Sequence, residues 1–408
     1  MMELLSPAGG MEQLQAAARF GADAVYGGLK KFGLRASAGN FDWDELRSAL
    51  DLLHGEKKKF YLTLNILPYD DEMEELGQTA ERAAQMGVDA AIVSDLGAFA
   101  YLRREVPELP LHVSTQANVM NSEGAALFAS LGAERIVLSR ELSLERIAQI
   151  RKRLDDHVEL EAFVHGAMCM AHSGRCMMSD HLAGRGGNRG ACAQPCRWQY
   201  TVTELKRPDE PMPVLEDERG TYIFSAYDLN MLSYLPEMQK AGIASLKIEG
   251  RMKTAYYVAT VTQIYRRALD LLAIGEDCYR EALPELQEEL LKVSHRSSNT
   301  GFYFGAPKPA SGAEGFSQTM EFVGRILGMR EGSMLAEVKN RFHVGDVLEA
   351  VTPSGTKQFT VAEIRNCADG AAMQYVSVAG QRVLIPVDFI AEEGDYLRGP
   401  NRNHRQSQ

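Results

Sequence analysis

The sequence predicts an α/β fold: a TIM-like (β/α)8 barrel with a long cysteine-bearing insertion after its seventh strand, followed by a small C-terminal β-barrel domain. Over the first 250 residues, eight short aliphatic runs alternate with amphipathic stretches. Each strand-to-helix unit takes roughly 25–35 residues, the length of a βα repeat that feeds a parallel sheet. Eight such units favour a closed barrel over an open doubly wound sheet, which usually has about five or six strands.

The predicted barrel strands are short and rich in aliphatic or β-branched residues. In chain order they are Glu3–Ser6, Ala22–Tyr26, Lys59–Leu67, Val88–Val93, Leu111–Thr115, Arg135–Leu138, Leu160–Val164 and Ser245–Ile248. The helical stretches between them include Met11–Phe20, Trp43–Leu53, Met73–Met86, Ser122–Leu131 and Leu144–Leu154. Glycine follows four helical stretches directly, at Gly21, Gly87, Gly132 and Gly242, where it suits the left-handed backbone position that closes a helix.

The chain beyond the eighth strand changes character. Two further helices are predicted at Thr254–Ile274 and Glu281–Lys292, and residues 301–316 are rich in Gly, Pro, Ala and Ser, as in a linker. Short strand-like runs separated by turn signals then predict a small β-barrel. The expected domains are the barrel at 1–300, the linker at 301–316, the β-module at 317–398 and a disordered tail at 399–408.

Composition limits the functional classes. The 408 residues carry 44 Lys and Arg against 55 Asp and Glu, a formal net charge of −11, which argues against indiscriminate DNA binding but is compatible with a local basic patch for RNA. No run approaches the length of a membrane span, and the first residues lack a signal-peptide pattern. Six cysteines are too few for a disulfide scaffold. We therefore expect a cytoplasmic protein with no membrane partner.

The connection between strands seven and eight is unusually long, about 80 residues, of which about 60 (165–226) precede the next helix signal. A loop of this length in a compact domain is usually functional, and in a barrel it emerges at the C-terminal face, where active sites lie. It holds four of the six cysteines within 28 residues: Cys169, Cys176, Cys192 and Cys196. This C-x6-C-x15-C-x3-C array favours an iron–sulfur cluster, with zinc or ordinary thiols as the alternatives.

The same loop is locally basic. From Met168 to Arg207, six cationic residues face two acidic ones. The candidate phosphate or base contacts are Arg175, Arg185, Arg189, Arg197 and the aromatic Trp198. A solvated basic loop with no partner is the alternative interpretation.

Polar residues follow most of the predicted strands and would point into a common cavity. Asp95, His165 and Glu249 are the candidate proton-transfer groups. Arg35, Arg140 and Arg251 could bind carboxylates or phosphates in bidentate fashion, and Asn65, Gln116 and Asn118 could orient a substrate. For each residue alone, a rim ion pair or loop cap is the more common role, but as a set these residues favour a site. The H-E-x-x-H and G-x-S-x-G motifs are absent from the sequence.

One long motif resembles a known family. Glu161-Ala-Phe-Val-His-Gly-Ala-Met-Cys169, followed after four residues by Gly174-Arg-Cys-Met-Met-Ser179, is similar to the signature of the U32 peptidase family. The similarity extends to Leu138-Ser-Arg-Glu-Leu142 and Ser245-Leu-Lys-Ile-Glu-Gly-Arg251. The resemblance implies oxygen-independent hydroxylation with a [4Fe–4S] cluster held by the four cysteines, rather than the peptidase activity of the family's label.

The length, the β-module and the Cys192/Cys196 pair most resemble the tRNA branch of this family. That resemblance implies formation of 5-hydroxyuridine at wobble position 34, with prephenate as co-substrate. The expected partners are the tRNA anticodon stem-loop, prephenate and downstream enzymes that modify the wobble uridine further. Other branches of the family act on ribosomal RNA and on the ubiquinone ring. A collagenase-like peptidase and a non-enzymatic, zinc-containing RNA-binding protein are the rival interpretations.

Overall fold

The computed structural model describes residues 1–35, 38–169, 171–195, 215–217, 220–222, 227–305 and 317–401. The predicted linker falls largely outside these residues, as do Cys196, Arg197 and Trp198.

The barrel consists of eight parallel strands. They are β1 (Glu3–Pro7), β2 (Ala24–Gly27), β3 (Lys59–Leu64), β4 (Ala90–Val93), β5 (Leu111–Val113), β6 (Arg135–Val137), β7 (Glu159–Ala167) and β11 (Ser245–Ile248). Each strand pairs in parallel with the next, and β11 pairs with both β7 and β1, which closes the ring. The predicted closed barrel is therefore confirmed.

Helices pack around the ring of strands. They are α1 (Met11–Arg19), α2 (Trp43–Gly55), α3 (Met73–Met86), α4 (Leu96–Glu105), α5 (Ser122–Ser130), α6 (Leu144–Arg153), α7 (Met178–Ala183), α8 (Leu235–Lys240), α9 (Ala255–Ile274) and α10 (Glu276–Leu290). All four predicted helix-closing glycines have the positive φ expected of them, between 85° and 100°. Among the residues that the structure describes, no helix is long and apolar enough to cross a membrane.

The long connection between β7 and β11 adds strands that the sequence did not predict. A short hairpin joins β8 (Leu215–Asp217) to β9 (Gly220–Tyr222). The next strand, β10 (Asp228–Asn230), runs antiparallel to the end of β7 and pairs in parallel with β12 (Ser298–Asn299). β10 and β12 extend the barrel sheet beyond the closed ring, whereas β8 and β9 form a separate two-stranded sheet.

The C-terminal module is an antiparallel sheet of eight strands in the order β17-β16-β22-β13-β14-β21-β18-β19, with a separate pair of β15 and β20. The strands are β13 (Met320–Arg330), β14 (Ser333–Val338), β15 (Phe342–His343), β16 (Val347–Thr352), β17 (Gly355–Thr360), β18 (Ile364–Asn366), β19 (Ala372–Met373), β20 (Tyr375–Val376), β21 (Arg382–Pro386) and β22 (Tyr396–Pro400). The predicted β-rich module is confirmed. The expectation of a disordered tail from residue 399 is wrong for its first two residues, because Gly399 and Pro400 pair with β13.

The module is fastened to the barrel by a buried ionic cluster. Arg398 of β22 is fully buried and forms ion pairs with Glu289 of α10 at 2.5 Å and with Glu349 of β16 at 2.7 Å. Nearby, the Tyr256 ring of α9 stacks on Phe322 with ring centroids 5.1 Å apart. A buried charge is tolerated only when it is paired, so this cluster fixes the module against the α9 and α10 side of the barrel.

Candidate active site at the barrel mouth

Four charged side chains meet where the barrel strands end. Glu249, directly after β11, lies 3.2 Å from the Arg140 guanidinium, which follows β6, and 3.8 Å from the Arg35 guanidinium, which follows β2. Arg251 lies two residues beyond Glu249 and is 4% exposed. The predicted substrate-binding arginines and the predicted carboxylate are thus close together.

The electrostatic balance of this group is strongly positive. Burial alone would raise the pKa of Glu249, but the Arg35 and Arg140 guanidiniums hold it below its ordinary value. Glu249 is therefore ionised at neutral pH. Three guanidiniums face this one carboxylate.

Arg251 differs from its neighbours because its hydrogen-bond partners are neutral. Its guanidinium donates to the Thr63 hydroxyl at 3.1 Å and to the Asn40 side-chain oxygen, while its Nε is buried with no partner among the described residues. Burial lowers the pKa of Arg251 to about 10, and the neighbouring Arg35 contributes to the decrease. A buried guanidinium with neutral partners favours an anionic ligand.

The floor of the mouth contains residues that the sequence analysis did not single out. The Lys247 ammonium pairs with the fully buried Glu161 at 2.8 Å and lies 4.3 Å from the centre of the Tyr26 ring. The Tyr26 hydroxyl donates to the Ile248 carbonyl. Alternation along β2, β7 and β11 could have placed these side chains inside the barrel, but it does not indicate that a lysine and a glutamate would pair there.

Close backbone approach sets the position of Glu249. Gly166 of β7 has a φ of 102°, and an added Cβ would lie 2.4 Å from the Glu249 carbonyl oxygen. Only glycine combines this backbone conformation with so close an approach.

The cysteine loop lies beside this charged group. Cys169 follows β7 and is exposed, while Cys176 and Cys192 are half-buried, and all three are free thiols. The pKa of Arg35 is raised mainly by Glu249, with smaller contributions from Cys169 and Cys192. The Arg140 guanidinium donates to the Ala167 carbonyl at 3.0 Å, two residues before Cys169, so the cysteine loop begins at the mouth. Cys176 and Cys192 come together at Gly187, where an added Cβ would lie 3.5 Å from the Cys176 carbonyl oxygen and 3.8 Å from the Cys192 Cβ.

This donor set fits a soft metal centre. Cysteine sulfurs are the ligands that iron–sulfur clusters and zinc prefer. Among the described residues, no three His, Cys, Asp or Glu side chains already form a metal-binding group, and Cys196 lies outside those residues. The four-cysteine site stays a prediction.

Two of the predicted RNA-binding arginines remain accessible. Arg175 and Arg185 are exposed, and each donates only its Nε–H to a backbone carbonyl, that of Gln116 at 2.9 Å and that of Ala191 at 3.0 Å. In the described part of the chain, neither guanidinium has an ion-pair partner, so both terminal nitrogens of each can bind a phosphate.

Arg189 has a different position from the one predicted. Its guanidinium binds Glu72 through both terminal nitrogens, at 2.6 and 3.0 Å, donates to the Leu67 carbonyl, and stacks over the Tyr69 ring. We correct the RNA-binding assignment of Arg189, because a guanidinium already engaged by a carboxylate has little capacity left for phosphate. It ties the cysteine loop to the loop after β3.

The position of the His165 ring also corrects the predicted catalytic role of this residue. The pairing of β7 with β11 shifts register between Phe163 and His165, and the His165 ring packs against Tyr257 and Tyr265 of α9 instead of facing the mouth. Burial lowers the pKa of His165 to about 4, so the imidazole is neutral and packed in the core.

Asp95 is placed as a helix cap. Its carboxylate accepts the backbone N–H of Ala98 at 2.8 Å at the start of α4, a role that accounts for an acidic residue there without any proton transfer.

The three predicted amide residues connect the loops to one another. The Asn65 side chain accepts the Leu34 N–H, the Ser94 hydroxyl donates to Gln116, and the Ser139 hydroxyl donates to Asn118. Contact of these amides with a substrate stays a prediction.

The fold and the site together define the class: a (β/α)8-barrel protein with a cationic mouth, a cysteine-bearing loop beside it and a fixed β-module. The chain belongs to peptidase family U32. The family model matches residues 9–312, and the model of the family's C-terminal domain matches residues 318–398.

The chain is similar in sequence to relatives with different names. A tRNA hydroxylation protein P from Escherichia coli is 37% identical over 429 residues, which cover 94% of this chain and 93% of the relative. A 23S rRNA 5-hydroxycytidine synthase from the same species is 35% identical over 332 residues, or 80% of this chain and 48% of the relative. A protein named collagenase from Porphyromonas gingivalis is 34% identical over 417 residues, or 97% of each chain.

Proposed function

We propose that this protein is a tRNA-modifying enzyme that hydroxylates the wobble uridine 34 at C5, without molecular oxygen and with prephenate as co-substrate. Relatives named for tRNA hydroxylation and for rRNA 5-hydroxycytidine synthesis, each similar over most of this chain, support RNA hydroxylation. We expect the protein to carry out this reaction on tRNA in the cytoplasm.

The charge of the mouth is the observation that carries the proposal. Arg35, Arg140 and Arg251 against Glu249 leave an excess of two positive charges. A small dicarboxylate such as prephenate matches that excess, and guanidiniums bind carboxylates in bidentate fashion. A peptide bond carries no charge that would need this arrangement.

The charged residues at the mouth would have separate roles in binding such a ligand. Arg251, whose partners are neutral, supplies the strongest demand for an anion, while Arg35 and Arg140 can share their charge between Glu249 and a second carboxylate. Glu249, ionised by its arginine neighbours, can accept a proton from a substrate held above it.

The cysteines would hold the cofactor. Cys169, Cys176, Cys192 and Cys196 are the proposed ligands of a [4Fe–4S] cluster, which when bound supplies redox or Lewis-acid chemistry beside the mouth. The hydrogen bond from Arg140 to the Ala167 carbonyl, two residues before Cys169, supports this, because it brings the first cysteine next to the anion site.

RNA would approach along the cysteine loop. The free terminal nitrogens of Arg175 and Arg185 can bind phosphates of the anticodon stem-loop. An unpaired anticodon base can be splayed out into the mouth, as enzymes that act on a base require. Arg197 and Trp198 remain predicted contacts to the same RNA, and enzymes that modify 5-hydroxyuridine further remain predicted partners.

The proposal is tested with protein purified without oxygen. The expected protein is brown, contains iron and acid-labile sulfide, and converts uridine 34 to 5-hydroxyuridine in a tRNA mixture only when prephenate is added. A colourless protein with stoichiometric zinc and no change in the tRNA would favour the zinc-containing RNA-binding alternative.

A peptidase is the second candidate, because one similar protein is named collagenase. It predicts cleavage of gelatin with no RNA present and inhibition by thiol alkylation without loss of metal. If RNA is hydroxylated but at another base, the same product analysis of rRNA identifies the substrate, and assay of a quinone precursor tests the third branch.

A further inference from the structure

The loop between β6 and α6 forms hydrogen bonds with the chain at two points, one on each side of Cys169. Arg140 donates to the Ala167 carbonyl at 3.0 Å, two residues before Cys169. The next residue, Glu141, binds Ser173, which lies between Cys169 and Cys176. One dipeptide therefore holds the chain on both sides of the first cysteine.

The contact between Glu141 and Ser173 uses both carboxylate oxygens. The Ser173 backbone N–H donates to Oε1 at 2.6 Å, and the Ser173 hydroxyl donates to Oε2 at 2.8 Å. The hydroxyls of Ser173 and Ser139 are 3.1 Å apart, and Ser173 is 2% exposed. Charge-assisted hydrogen bonds of this length are the strong ones.

Ser173 needs such a partner because its backbone is left-handed, with φ 47° and ψ 29°. A residue with a Cβ adopts this region only when surrounding contacts offset its cost. The turn lies between Cys169 and Cys176, so a change in its backbone would change the direction of both thiols.

We propose that Glu141 is a positioning residue for the metal centre: by holding Ser173 in a left-handed turn, it fixes Cys169 and Cys176 in the arrangement that a cluster requires. The inference rests on the proposed function in one respect only, that these cysteines bind the cluster. Residues that orient metal ligands through hydrogen bonds act without touching the metal.

The first test measures retention of iron. Wild-type protein and the Glu141→Ala variant are loaded with ferrous iron and sulfide without oxygen, and the loss of the visible absorption is followed in excess chelator. We expect Glu141→Ala to lose iron about 10–100-fold faster than wild type. Glu145→Ala, which removes an exposed carboxylate four residues further along, is the matched control and should behave as wild type.

A second substitution separates positioning from a general loss of structure. Glycine adopts the left-handed region without cost, so Glu141→Ala combined with Ser173→Gly should retain iron within about threefold of wild type. Retention by Glu141→Ala alone that equals wild type would overturn the proposal. A double variant that loses iron as fast as Glu141→Ala would also overturn the proposal.

A measurement on metal-free protein keeps the inference independent of the cluster. Alkylation of each thiol is followed by mass spectrometry, with the exposed Cys278 on α10 as the internal reference. We expect Glu141→Ala to change the rates at Cys169 and Cys176 severalfold relative to Cys278, and the added Ser173→Gly to restore them. Unchanged rates would refute the positioning role. If the wild-type protein takes up no iron but Glu141→Ala still changes these alkylation rates, the cluster is refuted and the positioning role of Glu141 is retained.

Discussion

The Arg140 guanidinium lies 3.2 Å from the Glu249 carboxylate, and this pair joins the loop after β6 to the loop after β11 at the barrel mouth. The other Glu249 oxygen faces Arg35 at 3.8 Å. Glu249 is therefore both the internal counter-charge of the arginines and the ionised acceptor nearest to them. Its removal should separate binding from chemistry.

Glu249→Gln should lower kcat for tRNA hydroxylation by about 10²-fold or more, because a proton acceptor is lost. The affinity for prephenate should stay equal or increase, because the arginines lose an internal competitor. Steady-state kinetics and calorimetric titration with prephenate measure the two effects. Glu108→Gln, at an exposed position, is the control, and a Glu249→Gln variant with full kcat would contradict the assignment.

Arg251→Lys should weaken prephenate binding by about 10–100-fold, because the ammonium keeps the charge but loses the guanidinium fork, and a hydrogen bond to a charged group contributes about 1.5–3 kcal/mol. In the wild type, binding should also weaken as the pH rises through about 10, since the lowered pKa of Arg251 removes its charge there. Calorimetric titration between pH 7.5 and about 10.5 tests this. Equal affinity at both ends would show that Arg251 keeps its charge over this range, and Arg251→Lys with wild-type affinity would exclude Arg251 as an anion ligand.

Arg175→Ala and Arg185→Ala should each reduce the slope of log K for tRNA binding against log salt by about one, because each removes a phosphate contact. Arg189→Met should leave the slope unchanged, since Arg189 is engaged by Glu72, but should accelerate hydrogen exchange in residues 171–195. Filter binding at several salt concentrations provides the slopes. A slope reduced by Arg189→Met alone would reverse our assignment of the three arginines.

Protonation of His165 should lower the free energy of unfolding at acidic pH. Its pKa is lowered to about 4 in the folded protein and returns to about 6.5 on unfolding, so the unfolded chain binds the proton first. Stability is fully present above about pH 6.5 and is lost as the pH falls towards 4, by about 3 kcal/mol.

Urea unfolding of wild type and His165→Gln at several pH values checks this linkage. The variant should lose less stability than wild type over that interval, although it starts from a lower value. His181→Gln, at an exposed position, is the control. Identical pH profiles for His165→Gln and wild type would show that another group controls the acid limb.

The periodicity of the sequence predicted the barrel because eight repeats of one pattern leave few topologies. Strand Ser245–Ile248 and helix Met73–Met86 have the predicted bounds. The additional strands β10 and β12 were not predicted, since these segments of two or three residues lie outside the repeating alternation of strand and helix. The pairing of Gly399 and Pro400 was also missed, because composition at a chain end does not reveal a partner strand.

The sequence predicted which charged residues lie close together at the mouth, while their roles stay a prediction. Arg35, Arg140, Arg251 and Glu249 follow strands whose ends meet, so their proximity follows from the fold. His165 was misplaced because a register shift in β7 turns its ring towards α9. Arg189 was misassigned because its partner, Glu72, is 117 residues away in the chain, a contact that no local pattern contains.

We propose that this barrel mouth, with the cysteines beside it, hydroxylates uridine 34 of tRNA. The most direct measurement is mass spectrometry of tRNA nucleosides from a strain that lacks the gene, complemented with wild type or with a variant carrying Cys169→Ala and Cys176→Ala. We expect 5-hydroxyuridine and its derivatives to disappear on deletion, to return with the wild type and to stay absent with the cysteine variant. Unchanged nucleosides after deletion, or full recovery with the cysteine variant, would contradict it.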